Sequence, residues 1–179
     1  DRRGAAFEPV AILAIGAVAV ALYLTAPKGG DFYWSDAPRH ALNGAFLLDM
    51  LRDLPLADPK RWAFDYYLQY PALSILFYPP LFYVLLVPVY AALGVSQASA
   101  LALEALFLFM LGLATHALAR RALPRPAALA AGIAAMAAPE MAFWGRMVML
   151  DIPAIALTAW AVVYFLRFCD RGATADLAA

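Results

Sequence analysis

The chain has 179 residues, 65% of them hydrophobic and 15% charged, with a mean hydropathy of +0.74. Soluble domains are nearer half apolar with about a quarter of residues charged, so the composition excludes an ordinary water-soluble globule and indicates an integral membrane protein. The formal net charge is zero and no Lys/Arg block exists, which argues against a nucleic-acid partner, while a lone Cys169 excludes an internal disulfide framework and a multi-cysteine metal site.

The opening DRRGAAFEPV lacks an initiator Met and the closing CDRGATADLAA stops in a polar stretch, so a piece of a longer chain is expected. Nineteen uncharged residues separate Glu8 from Lys28. At 1.5 Å per residue they cross a hydrocarbon core of roughly 30 Å. The run is too long for a signal-peptide core and lacks a suitably placed cleavage site. A retained transmembrane helix is therefore expected over 9–27, with Arg2 and Arg3 putting its start on the cytoplasmic side.

Residues 31–54, DFYWSDAPRHALNGAFLLDMLRDL, are far more polar. Ser35 and Asp36 open a helical pattern, Pro38 fits its first turn, and apolar residues cluster along one side. Asp36, His40 and Asn43 are spaced four and three apart and share a face. Two readings stand side by side: a carboxylate available for chemistry at the head of a membrane-bound helix, or a solvated interfacial helix with Asp36 as its cap. From 54 to 70 the sequence LPLADPKRWAFDYYLQY mixes Lys60, Arg61 and Asp65 with Trp62, Tyr66, Tyr67 and Tyr70. That is the composition of a headgroup-level belt, and Lys60 and Arg61 are further candidates for a lipid phosphate.

The next run, 76–95 (LFYPPLFYVLLVPVYAALGV), has the hydropathy of a span but is interrupted by Pro79, Pro80 and Pro88, each removing a backbone donor that lipid cannot replace. Parity also counts against a crossing. If 76–95 spanned, Arg120, Arg121, Arg125, Arg167 and Arg171 would lie opposite Arg2 and Arg3; if it stays at the interface, all face the cytoplasm. The expected fold is therefore an all-α polytopic membrane protein with four transmembrane helices, at about 9–27, 97–119, 127–143 and 154–168. Residues 28–96 form a first outer loop with juxtamembrane helices, and 144–153 (WGRMVMLDIP) a second. This topology puts Asp36, Arg146 and Asp151 on one outer face, where a carboxylate can act as general base and an arginine can neutralise a phosphate leaving group. Arg146 and Asp151 fit a loop salt bridge or helix-end charges equally well. Glu104 and His116 in 97–119 suggest a different class, a transporter half with a proton or ion path. No glycine-rich phosphate loop is present, which argues against a nucleotide substrate.

The succession SDAPRHALNG, FYPPLFYVLLVP, LARRALPRPAALAAGIAAMAAPEMAFWGRMVMLDIPAIAL resembles the N-terminal part of GT-C fold glycosyltransferases. The nearest branch is the dolichyl-phosphate-mannose protein mannosyltransferase and aminoarabinose transferase group, and the likeness runs over about residues 9–168. It implies inverting transfer of a sugar from a polyprenyl-phosphate donor to an acceptor hydroxyl, on protein or on a lipid-linked glycan, at the extracytoplasmic face of a membrane such as the bacterial inner membrane. Asp36 falls on the first-loop acidic position, implied to deprotonate or orient the acceptor. Arg146 and Asp151 fall on the second-loop motif, implied near the donor phosphate, with Lys60, Arg61 and Arg39 as further phosphate contacts. His40, Asn43 and Tyr78 are supporting residues. The chain departs from the pattern in two places: Ala37 follows Asp36 where a second acid is usual, and Tyr78 precedes the two prolines where His is usual. A single carboxylate weakens the case for a metal, and no cofactor is expected.

Overall fold

The structure, a computed structural model, describes residues 2–29, 32 and 36–172. Among these the regular structure is helical, with eight α-helices: α1 (Arg2–Leu24), α2 (Ala37–Asp53), α3 (Pro59–Gln69), α4 (Leu81–Leu93), α5 (Gln97–Ala119), α6 (Arg125–Ala137), α7 (Pro139–Trp144) and α8 (Asp151–Arg171). Three of them are long and apolar enough to cross a membrane, within α1, α5 and α8. The protein is an all-α membrane protein. Ser35, expected to open α2, lies outside the described residues.

The expected third span, 127–143, comprises two helices rather than one. The break falls at Ala138, whose φ −55, ψ 136 is extended. Pro139 follows, and a residue before proline is driven out of the α region. The 13 residues of α6 rise only about 20 Å. α4 has the same length, with Pro88 inside it, and by the same measure falls short of a hydrocarbon core of roughly 30 Å.

The chain forms two compact units. One comprises Asp1–Ala26, Glu104–Arg146 and Asp151–Ala179. Here α1 packs on α6, and small residues let backbones approach. A Cβ at Gly132 would stand 2.7 Å from the Gly112 carbonyl oxygen, and one at Gly112 would stand 2.7 Å from Ile15. Trp160 of α8 donates to the Met110 carbonyl of α5 at 3.0 Å. Two groups of ion pairs sit at helix ends. Glu8 meets His116 at 3.1 Å, Arg120 at 3.6 Å and Arg125 at 4.0 Å, so α1 and α5 run antiparallel. Next along the chain, Arg121 grips Asp170 through two bonds of 2.6 and 3.1 Å. The far end of α1 is marked by Arg146, which donates to the Thr25 carbonyl.

The other unit comprises Pro27–Leu103 and Met147–Leu150. Its core is the crossing of α2 on α4. Phe82, Tyr83, Leu86 and Tyr90 form the buried face of α4, and the Tyr90 hydroxyl donates to the Ala41 carbonyl at 3.2 Å. Gly44 permits the crossing: a Cβ there would lie 2.7 Å from Leu86. α2 ends where Leu54 turns left-handed (φ 44, ψ 60), ahead of Pro55. α3 then starts on Asp58, whose carboxylate accepts from the Arg61 amide at 2.9 Å, and returns along α2 through the rings of Trp62, Tyr66 and Phe46.

Candidate functional site

Asp36 occupies the cap position of α2, yet its side chain makes no capping bond. A capping carboxylate needs extended backbone to reach the second or third amide of the helix. Asp36 is instead helical in φ and ψ (−88, −22), so its oxygens stay clear of those amides. The side chain is 32% exposed, and its nearest cation is Arg39, with Nε 3.8 Å from Oδ1. Pro38 in the first turn accounts for the helix start without a side-chain cap.

One turn on, the shared polar face of α2 is not solvated. His40 is 2% and Asn43 0% exposed. His40 Nδ1 lies 2.9 Å from the Tyr83 hydroxyl, and the His40 ring meets Tyr78 edge-on with centroids 4.9 Å apart. The Asn43 carbonyl accepts from the Ser74 amide at 2.9 Å, and its NH2 donates to the Ser74 hydroxyl at 3.4 Å. Buried polar groups need such partners, since leaving one unpaired costs about 1–3 kcal/mol. These bonds fasten Ser74, Tyr78 and the start of α4 to the helix headed by Asp36. Ser74 and Tyr83 were not legible as site residues. The one available signal was that Tyr83 and Tyr90 carry the only side-chain hydroxyls in α4.

The remaining cations of this unit are partly engaged. Arg61 Nε lies 3.0 Å from both oxygens of Asp65, on a side chain 72% exposed. Lys60 is exposed and in no ion pair among the described residues. On α3, burial and then the Asp49 carboxylate that accepts its proton at 3.0 Å push the Tyr66 phenol above its ordinary range.

Arg146 and Asp151 belong to the other unit. Arg146 follows α7, donates one guanidinium NH2 to the Thr25 carbonyl, and keeps Nε buried without a hydrogen-bond partner. A buried, unpaired donor on a fixed cation suits an anionic oxygen. Asp151 is exposed, is not ion-paired with Arg146, and begins α8, where its charge meets the positive end of the helix dipole. Of the two readings held open from the sequence, helix-end charges describe the pair and a salt bridge does not. In the same unit, Glu104 is fully buried on α5 and His116 is buried beside Glu8. Twelve residues, about 18 Å of helix, separate the two. Among the described residues no three His, Cys, Asp or Glu gather where they could hold a metal ion.

Three membrane-length helices, with shorter apolar helices between them in sequence, define a polytopic membrane protein. The dolichyl-phosphate-mannose-protein mannosyltransferase family matches residues 78–179, more than half of the chain, and the chain belongs to that family. Glycosyl transfer is thus the class of activity it carries. No curated protein and no solved structure matches the chain. The matched stretch contains Tyr78, Arg146 and Asp151, whereas Asp36, Arg39, His40, Asn43, Lys60 and Arg61 precede it.

Proposed function

We propose that this chain is part of a membrane enzyme moving a sugar from a polyprenyl-phosphate donor to an acceptor hydroxyl at the extracytoplasmic face. The observation that carries the reading is the family match over residues 78–179. In the reaction, the acceptor oxygen attacks the anomeric carbon, the bond from that carbon to the phosphate oxygen breaks, and the lipid phosphate departs with the electron pair. A single displacement from the face opposite the phosphate inverts the anomeric centre.

Asp36 is the base that takes the acceptor proton. Its partly exposed carboxylate, in a loose 3.8 Å pair with Arg39 and making no capping bond to α2, supports that role, because a base needs a lone pair within reach of the proton it takes. Arg146 faces the leaving phosphate, supported by its buried, unpaired Nε. Asp151 orients the turn leading into α8, while Arg39, Lys60 and Arg61 contribute positive charge for the donor, and Arg61 must first release Asp65. His40, Asn43 and Tyr78 hold the base helix. The gathering of Glu8, His116, Arg120 and Arg125 at one end of the bundle supports that end as the cytoplasmic one.

The test is Asp36→Asn in the full-length protein, assayed with a synthetic polyprenyl-phosphate mannose and an acceptor hydroxyl. Loss of a base costs about 10²–10⁴-fold in rate, with membrane insertion unchanged. Activity within a few-fold of the parent would remove Asp36 from the role.

A further inference from the structure

α5 and α8 meet through long side chains at two levels. Trp160 reaches the Met110 carbonyl at 3.0 Å, and about 16 Å further along α5 Arg121 holds Asp170. Beside the second contact lies a cavity of about 200 Å³, lined by Ala117, Leu118, Arg121, Val163, Arg167 and Asp170. That is below the roughly 300 Å³ at which drug-sized ligands start to fit, so the space suits a small polar group. The cavity is layered. Ala117 and Val163 stand one turn before Arg121 and Arg167, about 6 Å deeper in the bundle, so the floor is apolar and the rim charged. The rim falls where the spans stop, α5 at Ala119 and α8 at Asp170, and a span ends at the level of the lipid headgroups.

The rim holds more cation than anion. Arg121 gives Asp170 one bond from Nη1 and one from Nη2, and a guanidinium has five N–H donors, so three are left. Arg167 rests on the Tyr164 ring, with Cζ 5.5 Å from its centroid, and is in no ion pair among the described residues. Tyr164 in turn stacks on Trp160 with centroids 5.7 Å apart. A ladder of rings, rather than a carboxylate, therefore places that guanidinium. Asp170 offsets only one of the two arginines. On the other side of the α5–α6 turn, Arg120 and Arg125 instead face Glu8, at 3.6 and 4.0 Å.

We propose that this cavity binds the phosphodiester of an anionic phospholipid, with the phosphate between Arg121 and Arg167 and the glycerol against Ala117, Leu118 and Val163. The single surplus positive charge matches the single negative charge of a phosphodiester. Basic pockets between membrane helices hold anionic headgroups in this way, and planar guanidinium forks suit phosphate oxygens. The apolar floor favours a lipid over free phosphate, which has no apolar part to bury. The inference does not depend on the sugar chemistry, since the cavity contains none of the residues assigned to transfer.

The test uses the full-length protein in dodecyl maltoside, titrated with dioleoyl-phosphatidylglycerol, dioleoyl-phosphatidylcholine or inorganic phosphate, while native mass spectrometry counts the molecules bound. Phosphatidylglycerol should be retained in preference to phosphatidylcholine. Arg167→Gln should weaken its binding about fivefold, the effect of one arginine at a membrane surface. Asp170→Asn, which frees Arg121 and raises the charge of the rim, should bind it at least as tightly as the parent. Arg52→Gln, an exposed arginine on α2, should change nothing. Equal retention of the two lipids, parent-like binding in Arg167→Gln, or an equal loss in Arg52→Gln overturns the proposal. Loss of binding in Asp170→Asn also overturns it, because Asp170 then serves the ligand rather than competing with it. Displacement of phosphatidylglycerol by millimolar inorganic phosphate assigns the cavity to a free anion and overturns the lipid.

Discussion

Gly132 and Gly44 both sit where two helices cross, in units that pack by different chemistry. Gly132 faces backbone, the Gly112 carbonyl oxygen, with His116 close behind. Gly44 faces side chains, Leu86 and Tyr90. Between membrane helices, association gains little from apolar transfer and rests on close backbone approach, which small residues permit. The α2–α4 crossing instead buries aromatic rings and satisfies their hydroxyls, Tyr83 on His40 and Tyr90 on the Ala41 carbonyl. The bundle joins Glu8 to His116, Arg120 and Arg125, and Arg121 to Asp170, at helix ends. The unit built on the α2–α4 crossing carries a polar network inside that crossing, on the helix headed by the candidate base.

The sharpest way to break this comparison is to add one methyl group at each glycine. Gly132→Ala meets a carbonyl that cannot rotate away, so a loss of about 1–3 kcal/mol is expected. Gly44→Ala meets Leu86 at Cδ1, which can rotate clear, and at Cβ, 2.8 Å away and fixed to the backbone, so α2 and α4 must part here too; the roughly 1 kcal/mol helix preference of Ala over Gly offsets both substitutions alike. Thermal unfolding in detergent should show a loss for both, the larger for Gly132→Ala, where the closest contact is backbone; a larger loss for Gly44→Ala would reverse the distinction.

Next in size is the polar network. His40→Leu removes a partner of the buried Tyr83 hydroxyl and should cost about 1–3 kcal/mol. Tyr83→Phe should cost less, and the two together less than their sum, with a coupling of about 0.5 kcal/mol or more. Strict additivity in a double-mutant cycle would show that the 2.9 Å contact contributes nothing.

A smaller effect concerns pH. Tyr66 titrates higher in the folded state than its unfolded value of about 10. Its contribution is therefore complete below pH 10 and is lost as pH rises through the folded value. Alkaline unfolding of the unit built on α2, α3 and α4 should become less steep above pH 10 in Tyr66→Phe; an unchanged profile would show that Tyr66 does not contribute. The smallest effect is expected at Arg61→Ala, because the Arg61–Asp65 pair is exposed and such pairs contribute a few tenths of a kcal/mol. A donor-binding loss far larger than this stability change would support Arg61 as a phosphate contact.

Composition and hydropathy determined the membrane class and the helical fold, because lipid leaves a chain no way to satisfy its backbone other than a helix or a closed barrel. Helix starts at Pro38 and Pro59 and the break before Pro139 follow from fixed φ and the restriction on the preceding residue, both local rules. The order of motifs carried the family. What the tertiary structure alone decided is where polar side chains go. The sequence places Asp36, His40 and Asn43 on one face, yet spacing cannot say whether water or another helix covers it. The α2–α4 crossing buries His40 and Asn43 and leaves Asp36 partly exposed, because Gly44 lets α4 close over the later turns. The partners that make this burial possible, Tyr83 and Ser74, lie 43 and 31 residues away, beyond the reach of any local pattern.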